Sequence, residues 1–279
     1  MREIDCEIIT ETVYDLALEA NYLLPERVLE ALEAALARET GVARAVMAML
    51  VENARIAAAT RTPLCQDCGL VVVFAEIGRE CHLSGDPCAA INQGVARAYQ
   101  EGYLRKSVLA DPFRRDSNTG DNTPAVVHTV LTEGDRIRLH LAPKGGGSEN
   151  MSVVEMLVPA VGRQGVIDRV VAQVVAGGGK PCPPLIIGVG LGGTLEKAAL
   201  LSKWAIMRPL GEPSPDADTA ELECDILAAV NATGVGPMGL GGKTTALAVH
   251  VEKHPCHIAS LPLAINLQCH AARHQQATI

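Results

Sequence analysis

Residues 183–207, PPLIIGVGLGGTLEKAALLSKWAIM, read as strand, glycine turn and helix in immediate succession. A chain organised this way must bury the strand under helices, so this stretch constrains the fold class more than any other. The same alternation recurs elsewhere. GLVVVFAEIG at 69–78 is a short apolar, β-branched run of the kind that forms a buried strand. DPCAAINQGVARAYQEGYLRKS at 86–107 returns to helical spacing, with Asp86 as N-cap. Residues 162–179 predict a helix closed by glycines. A further helix is predicted after the Pro-rich, acidic GEPSPDADTAELE, and two strands near the end, in TALAVHVEKH and HIASLPLAINLQ.

The first sixty residues are expected to be helical. Val28, Leu29, Leu32, Ala35 and Leu36 recur at helical spacing, and Pro25 suits the first turn of that helix. Between them, residues 124–152 hold two strand-like runs, expected to pair, that lead into PKGGGSEN. The expected fold is mixed α/β, a helical N-terminal region over 1–60 followed by mixed sheets with flanking helices. Neither a repeat nor a linker interrupts the text, so residues 1–279 are expected to form a single domain. With two Phe, four Tyr and one Trp, its core must be built from Ala, Val, Leu and Ile.

Charge and hydropathy narrow the function classes. A formal net charge of −8 without a basic tract argues against nucleic-acid binding. No apolar run approaches the roughly 20 residues that span a bilayer, and Met1–Thr12 lacks a signal-peptide pattern. The expectation is a soluble, cytoplasmic protein with no nucleic-acid or membrane partner. Nine cysteines, an odd number, then point to metal or catalysis rather than disulfides. Cys6, Cys81, Cys88 and Cys224 are expected to be structural, as small core-filling hydrophobes.

Three others stand where the chain turns out of an ordered element: Cys65 in TPLCQDCG, Cys182 in GKPCPPL and Cys269 in NLQCHAARH. Prolines beside Cys182 fix the backbone and can aim a thiolate. Three thiolates suit a four-iron, four-sulfur cluster with one open iron, because a catalytic metal site keeps a position for substrate. Zinc is the competing metal. Cys65 and Cys68 form a C-x-x-C pair, and His254, Cys256 and His257 another candidate group, but no matching frame joins them. A zinc- or thiol-stabilised, non-catalytic interaction protein is therefore the alternative from another class.

Two nucleotide motifs fail. GVGPMGLGGKTT ends like a phosphate loop, yet Pro237 stands where its first glycine belongs. GVGLGGT at 188–194 has the strand–turn–helix setting of a dinucleotide site without a downstream acidic ribose partner, which leaves a weak anion site.

Taken together, PLCQDCG, RDSNTGDNTPAVVH, PKGGGSENMS, PCPPLIIGVGLGGTLEKAALLSKWA and HPCHIASLPLAINLQCHAARH resemble the α subunit of the iron–sulfur hydro-lyases, the family of class I fumarases and L(+)-tartrate dehydratases. The similarity runs in order from about Thr60 to the C-terminus. It implies that Cys65, Cys182 and Cys269 ligate a [4Fe-4S] cluster, that Asp67 is catalytic, and that Gln66, Arg105, Gly146 and His257 bind substrate. The implied reaction is reversible hydration of a small dicarboxylate, fumarate/(S)-malate first and L(+)-tartrate as the alternative. PKGGGSEN would then offer backbone donors to an anionic substrate, beside Lys144. Cys68 departs from the family pattern, where Thr is expected. Single-chain members continue into a second domain after the last cluster cysteine. Here that part is expected from a separate β subunit, with α chains paired as a homodimer.

Overall fold

The computed structural model describes all residues from Met1 to Ile279 and is mixed α/β, as expected. The chain folds into two compact units. The first comprises Met1–Pro25, Ala54–Gly146 and Arg273–Ile279, and the second Glu26–Asn53 and Gly147–Ala272.

In the first unit, β1 (Arg2–Ile4) pairs in parallel with β3 (Cys81–Leu83). The main sheet is built from β2 (Leu70–Gly78), β4 (Val126–Thr132), β5 (Ile137–Lys144) and β10 (Gln275–Thr278), in the order β10-β5-β2-β4. The two runs expected to pair are therefore both strands but not partners, because β2 lies between them, antiparallel to β5 and parallel to β4. The physical reason is burial. Val71–Ala75 of β2 is buried on both faces, which suits a central strand. β4 leaves Val130 and Leu131 exposed, as an edge strand can. Helices α1 (Cys6–Tyr22) and α4 (Pro87–Glu101, with Asp86 accepting from the Cys88 N–H) bury Val13, Leu16, Ile91 and Val95 with Val71, Val73, Leu139 and Leu141.

The second unit holds α2 (Glu26–Arg38), the first part of α3 (Gly41–Thr60) and a sheet of β6 (Val153–Leu157), β7 (Leu185–Gly192), β8 (Ala246–His254) and β9 (Leu261–Gln268). Its order is β6-β9-β7-β8, with β7 and β8 parallel and the other pairs antiparallel. Helices α6 (Gly162–Gly177) and α8 (Ala217–Ala232) pack Val170, Val174, Ile226 and Val230 against Ile187, Val189, Ile265 and Leu267. On the other face of β7, Gly188 and Gly190 admit α7 (Leu195–Ala205). A Cβ at either glycine would lie 2.2 Å from the Ser202 carbonyl oxygen or 2.0 Å from that of Ala198. These glycines of the dinucleotide look-alike thus serve close helix–strand packing.

The phosphate-loop look-alike has its own explanation. The backbone amides of Lys243 and Thr244 donate to the carboxylate of Glu39, at 2.9 and 2.6 Å, and Glu39 is buried. The chain's own anion fills the place a phosphate would take. Among the four cysteines expected to be core filler, Cys6 and Cys81 do pack against the first core, whereas Cys88 and Cys224 are exposed. Helical position placed them on the solvent-facing side.

His250 on β8 is 2% exposed, with Nδ1 beside the Ala205 carbonyl at 3.1 Å. Burial, reinforced by the nearby Arg208 guanidinium, pushes its pKa down to about 4. The folded value lies below the ordinary one, so the unfolded chain binds the extra proton between them. Stability present above about pH 6.5 is lost as pH falls toward 4, by on the order of 3 kcal/mol. Urea unfolding across this window should show His250→Gln with a shallower pH dependence than wild type. Equal slopes would contradict this account.

Candidate active site

In the first unit, the turn between α3 and β2 carries Cys65, Gln66 and Asp67. Its entry is fixed by the Leu64 N–H donating to the Asn21 carbonyl at 2.9 Å. The Asp67 N–H donates to Cys65 Sγ at 3.4 Å. Asp67 Oδ1 accepts from Gly69 N–H at 3.0 Å, and Oδ2 accepts from Gly146 N–H at 2.7 Å. A carboxylate held by two backbone amides is fixed in direction and still has lone pairs to accept a proton.

The glycine loop, expected to offer backbone donors to a substrate, comes to lie beside Asp67. Gly146 begins a single helical turn, Gly146–Glu149, and its amide donates to Asp67 rather than standing open. A Cβ at Gly146 would lie 3.7 Å from Asp67 Oδ2, an ordinary van der Waals contact, so it is the amide of this residue and not its lack of a side chain that Asp67 uses.

Arg105 lies beyond α4 in irregular chain. Its N–H donates to Cys68 Sγ at 3.2 Å, while its side chain is exposed. Cys68 is 2% exposed, and burial raises its thiol pKa, so it stays protonated near neutrality. Its S–H points at the Cys65 carbonyl, 3.7 Å away, a direction that does not serve a zinc pair with Cys65.

Sequence reasoning missed Arg273. Its side chain is 1% exposed, and Nη1 donates to the Asp67 carbonyl at 2.7 Å and to Asn21 Oδ1 at 3.2 Å. Its Nε has no hydrogen-bond partner. Asn21 and Arg273 together clamp both ends of the Leu64–Asp67 turn. The only signal was its position in CHAARH, and arginine is ordinarily a surface residue.

The second unit carries Cys182, Cys269 and His257. Cys182 follows α6 with φ +57, a left-handed conformation that costs a non-glycine residue on the order of 1 kcal/mol and that clusters at functional sites. Its carbonyl accepts from the His270 N–H at 3.3 Å, and His270 Nδ1 lies 3.1 Å away, so the residue after Cys269 grips the Cys182 turn. The Gln268 amide donates to Cys269 Sγ at 3.5 Å. His257 sits on an exposed turn after β8, with Nδ1 accepting from the Ala259 N–H at 3.1 Å. It lines an open groove of about 470 Å³ with Arg163, Asp218, Lys253 and Cys256, a lining that includes neither Cys182 nor Cys269.

All nine cysteines are free thiols, and Cys65, Cys182 and Cys269 are each half-buried. The sulfurs of Cys65 and Cys269 each accept an N–H hydrogen bond, and free cysteine sulfurs are the donor type that an iron–sulfur cluster takes. No group of three or more His, Cys, Asp or Glu side chains is gathered to hold a single metal ion. The candidate zinc group at the end of β8 is turned to backbone, His254 Nδ1 toward the Pro255 carbonyl and Cys256 Sγ toward that of Ser260.

The first unit thus presents a half-buried thiol and an amide-held carboxylate on one turn, and comparison with known proteins gives the family. The fumarate hydratase (Fumerase) family model matches residues 10–278, and the chain belongs to that family. A Methanocaldococcus jannaschii protein, provisionally named an L(+)-tartrate dehydratase subunit alpha, is 40% identical over 272 residues, 95% of each chain. The L(+)-tartrate dehydratase subunit alpha of Escherichia coli strain UTI89 is 29% identical over 268 residues, 95% of this chain and 88% of its own. The strain K12 protein of that name is 28% identical over the same span. No helix is long and apolar enough to cross a membrane.

Proposed function

We propose that this chain is the α subunit of a [4Fe-4S] hydro-lyase that reversibly adds water to a four-carbon dicarboxylate, with fumarate/(S)-malate as substrate pair. The observation that carries this reading is the Cys65–Asp67 turn. There a candidate cluster cysteine, a carboxylate locked by two amides and the anchored backbone of Arg105 belong to one hydrogen-bonded assembly. Cys65, Cys182 and Cys269 would hold the cluster, which when bound supplies a Lewis-acidic iron with an open position.

The chain's own residues do the rest. The exposed guanidinium of Arg105 binds one substrate carboxylate through paired N–H donors. Asp67 accepts the proton or hydrogen bond of the reacting hydroxyl, and the exposed amide of Gln66 lies beside it. The Gly146 amide fixes Asp67 and borders the substrate space, and His257 contributes a further substrate contact. The second carboxylate is left to a β subunit, consistent with the subunit-alpha names of the relatives, and an α homodimer in the cytoplasm completes the proposed assembly. L(+)-tartrate is the second reading, favoured by those same names.

The test is an anaerobic assay of the assembled enzyme with (S)-malate, fumarate and L(+)-tartrate. Interconversion of malate and fumarate is expected; turnover of tartrate alone would shift the assignment to the second reading, and turnover of neither would reject both. A charged hydrogen bond contributes about 1.5–3 kcal/mol, so Arg105→Ala should raise KM at least about tenfold with iron unchanged. A wild-type KM would remove Arg105 from the site.

A further inference from the structure

Cys68 is a buried thiol to which the proposed reaction assigns no role. It nonetheless occupies a joint. Its Sγ accepts the Arg105 N–H at 3.2 Å and its S–H faces the Cys65 carbonyl at 3.7 Å. The residue is held from behind, since Tyr99 Oη donates to the Cys68 carbonyl at 2.5 Å.

The segment it contacts has no regular structure. Residues 104–107 belong to neither helix nor strand, so side chains must set that backbone. Two do so from opposite ends. Cys68 takes the Arg105 amide, and Asn122 Oδ1 takes the Ser107 amide at 2.6 Å. Asn122, fully buried, also donates to the Gly69 carbonyl at 3.1 Å, so both clamps lead back to neighbouring residues, Cys68 and Gly69.

We infer that Cys68 is a positioning residue, its thiol holding the Arg105 backbone against the Cys65–Asp67 turn so that the arginine meets the substrate carboxylate. This rests on the role proposed above for Arg105. A threonine at this place carries a hydroxyl that can accept the same N–H.

The experiment compares Cys68→Ala and Cys68→Val, which remove the acceptor with smaller and fuller packing, with Cys68→Ser and Cys68→Thr, which retain one. Each is measured as the full chain assembled with its β subunit. A neutral hydrogen bond of ordinary strength predicts that Ala and Val raise KM for the dicarboxylate roughly threefold to tenfold. Iron content should stay at the wild-type value and kcat within about twofold, with KM restored in Ser or Thr. Hydrogen exchange of the Arg105 amide is read on the same samples, and it should quicken in Ala and Val and return in Ser or Thr. Wild-type exchange in Val, or equal loss in Val, Ser and Thr, would overturn the inference. If Arg105→Ala leaves KM unchanged, the role of Arg105 fails separately, while amide exchange still decides the role of Cys68.

Discussion

Replacing Asp67 by asparagine is expected to lower kcat of the assembled enzyme by about 100-fold or more, with iron content unchanged. The amide keeps the size and one carbonyl oxygen of the carboxylate. Oδ1 and Oδ2 each accept from a backbone amide, of Gly69 and Gly146, so asparagine must turn its NH₂ toward one of these donors. The variant thus loses both the proton acceptor and one of the two bonds that aim it. Arg273 holds Asp67 through its carbonyl, so the turn itself should survive. Steady-state kinetics and iron analysis on one sample check this. Wild-type kcat would exclude Asp67 from proton transfer, and loss of iron in parallel would reassign it to holding the Cys65 turn.

The largest expected effect on folding lies elsewhere. Arg208 is clasped between Glu223 and Glu252, and Glu223 also accepts from the Val251 N–H at 2.7 Å and the Ser214 N–H at 3.0 Å. With the Arg208 and Glu223 side chains 14% and 7% exposed, Glu223→Ala leaves a charge and two amides in poor company. Breaking one side of a buried pair costs about 3–5 kcal/mol, which chemical unfolding would detect directly. A cost below about 1 kcal/mol would mean that water replaces Glu223 at little penalty.

The sequence carried the long elements well, because each has a period of its own. The glycine-turn unit of β7 and α7, the capped α4 and the helical first sixty residues all lie where spacing and caps place them. Pairing was harder. β4 and β5 are adjacent in the chain and separated by a polar turn, and nothing local says that β2 must enter between them. A comparison of the runs would have helped, since only β2 is apolar on both faces. The polar β10 and the short β1, β3 and β6 carry too weak a pattern to stand out.

The candidate site divides in the same way. Residues within one quoted motif, such as Cys65, Gln66 and Asp67, could be read together. Contacts spanning long separations could not. Glu39 on the Lys243 and Thr244 amides, Asn122 on Ser107 and Arg273 on Asp67 depend on tertiary placement, and each involves an ordinary surface-type residue drawn inside.

Iron content after anaerobic reconstitution tests the central claim most directly, because it reads the thiolate set without any assumption about substrate. The wild-type chain is expected to take up about four irons and to lose them in air, as an incompletely ligated cluster does. Cys65→Ser, Cys182→Ser and Cys269→Ser should each fail to retain that iron, whereas Cys68→Ser should keep it. Wild-type iron in all three variants, or tight zinc and no iron in the unmodified chain, would contradict the account.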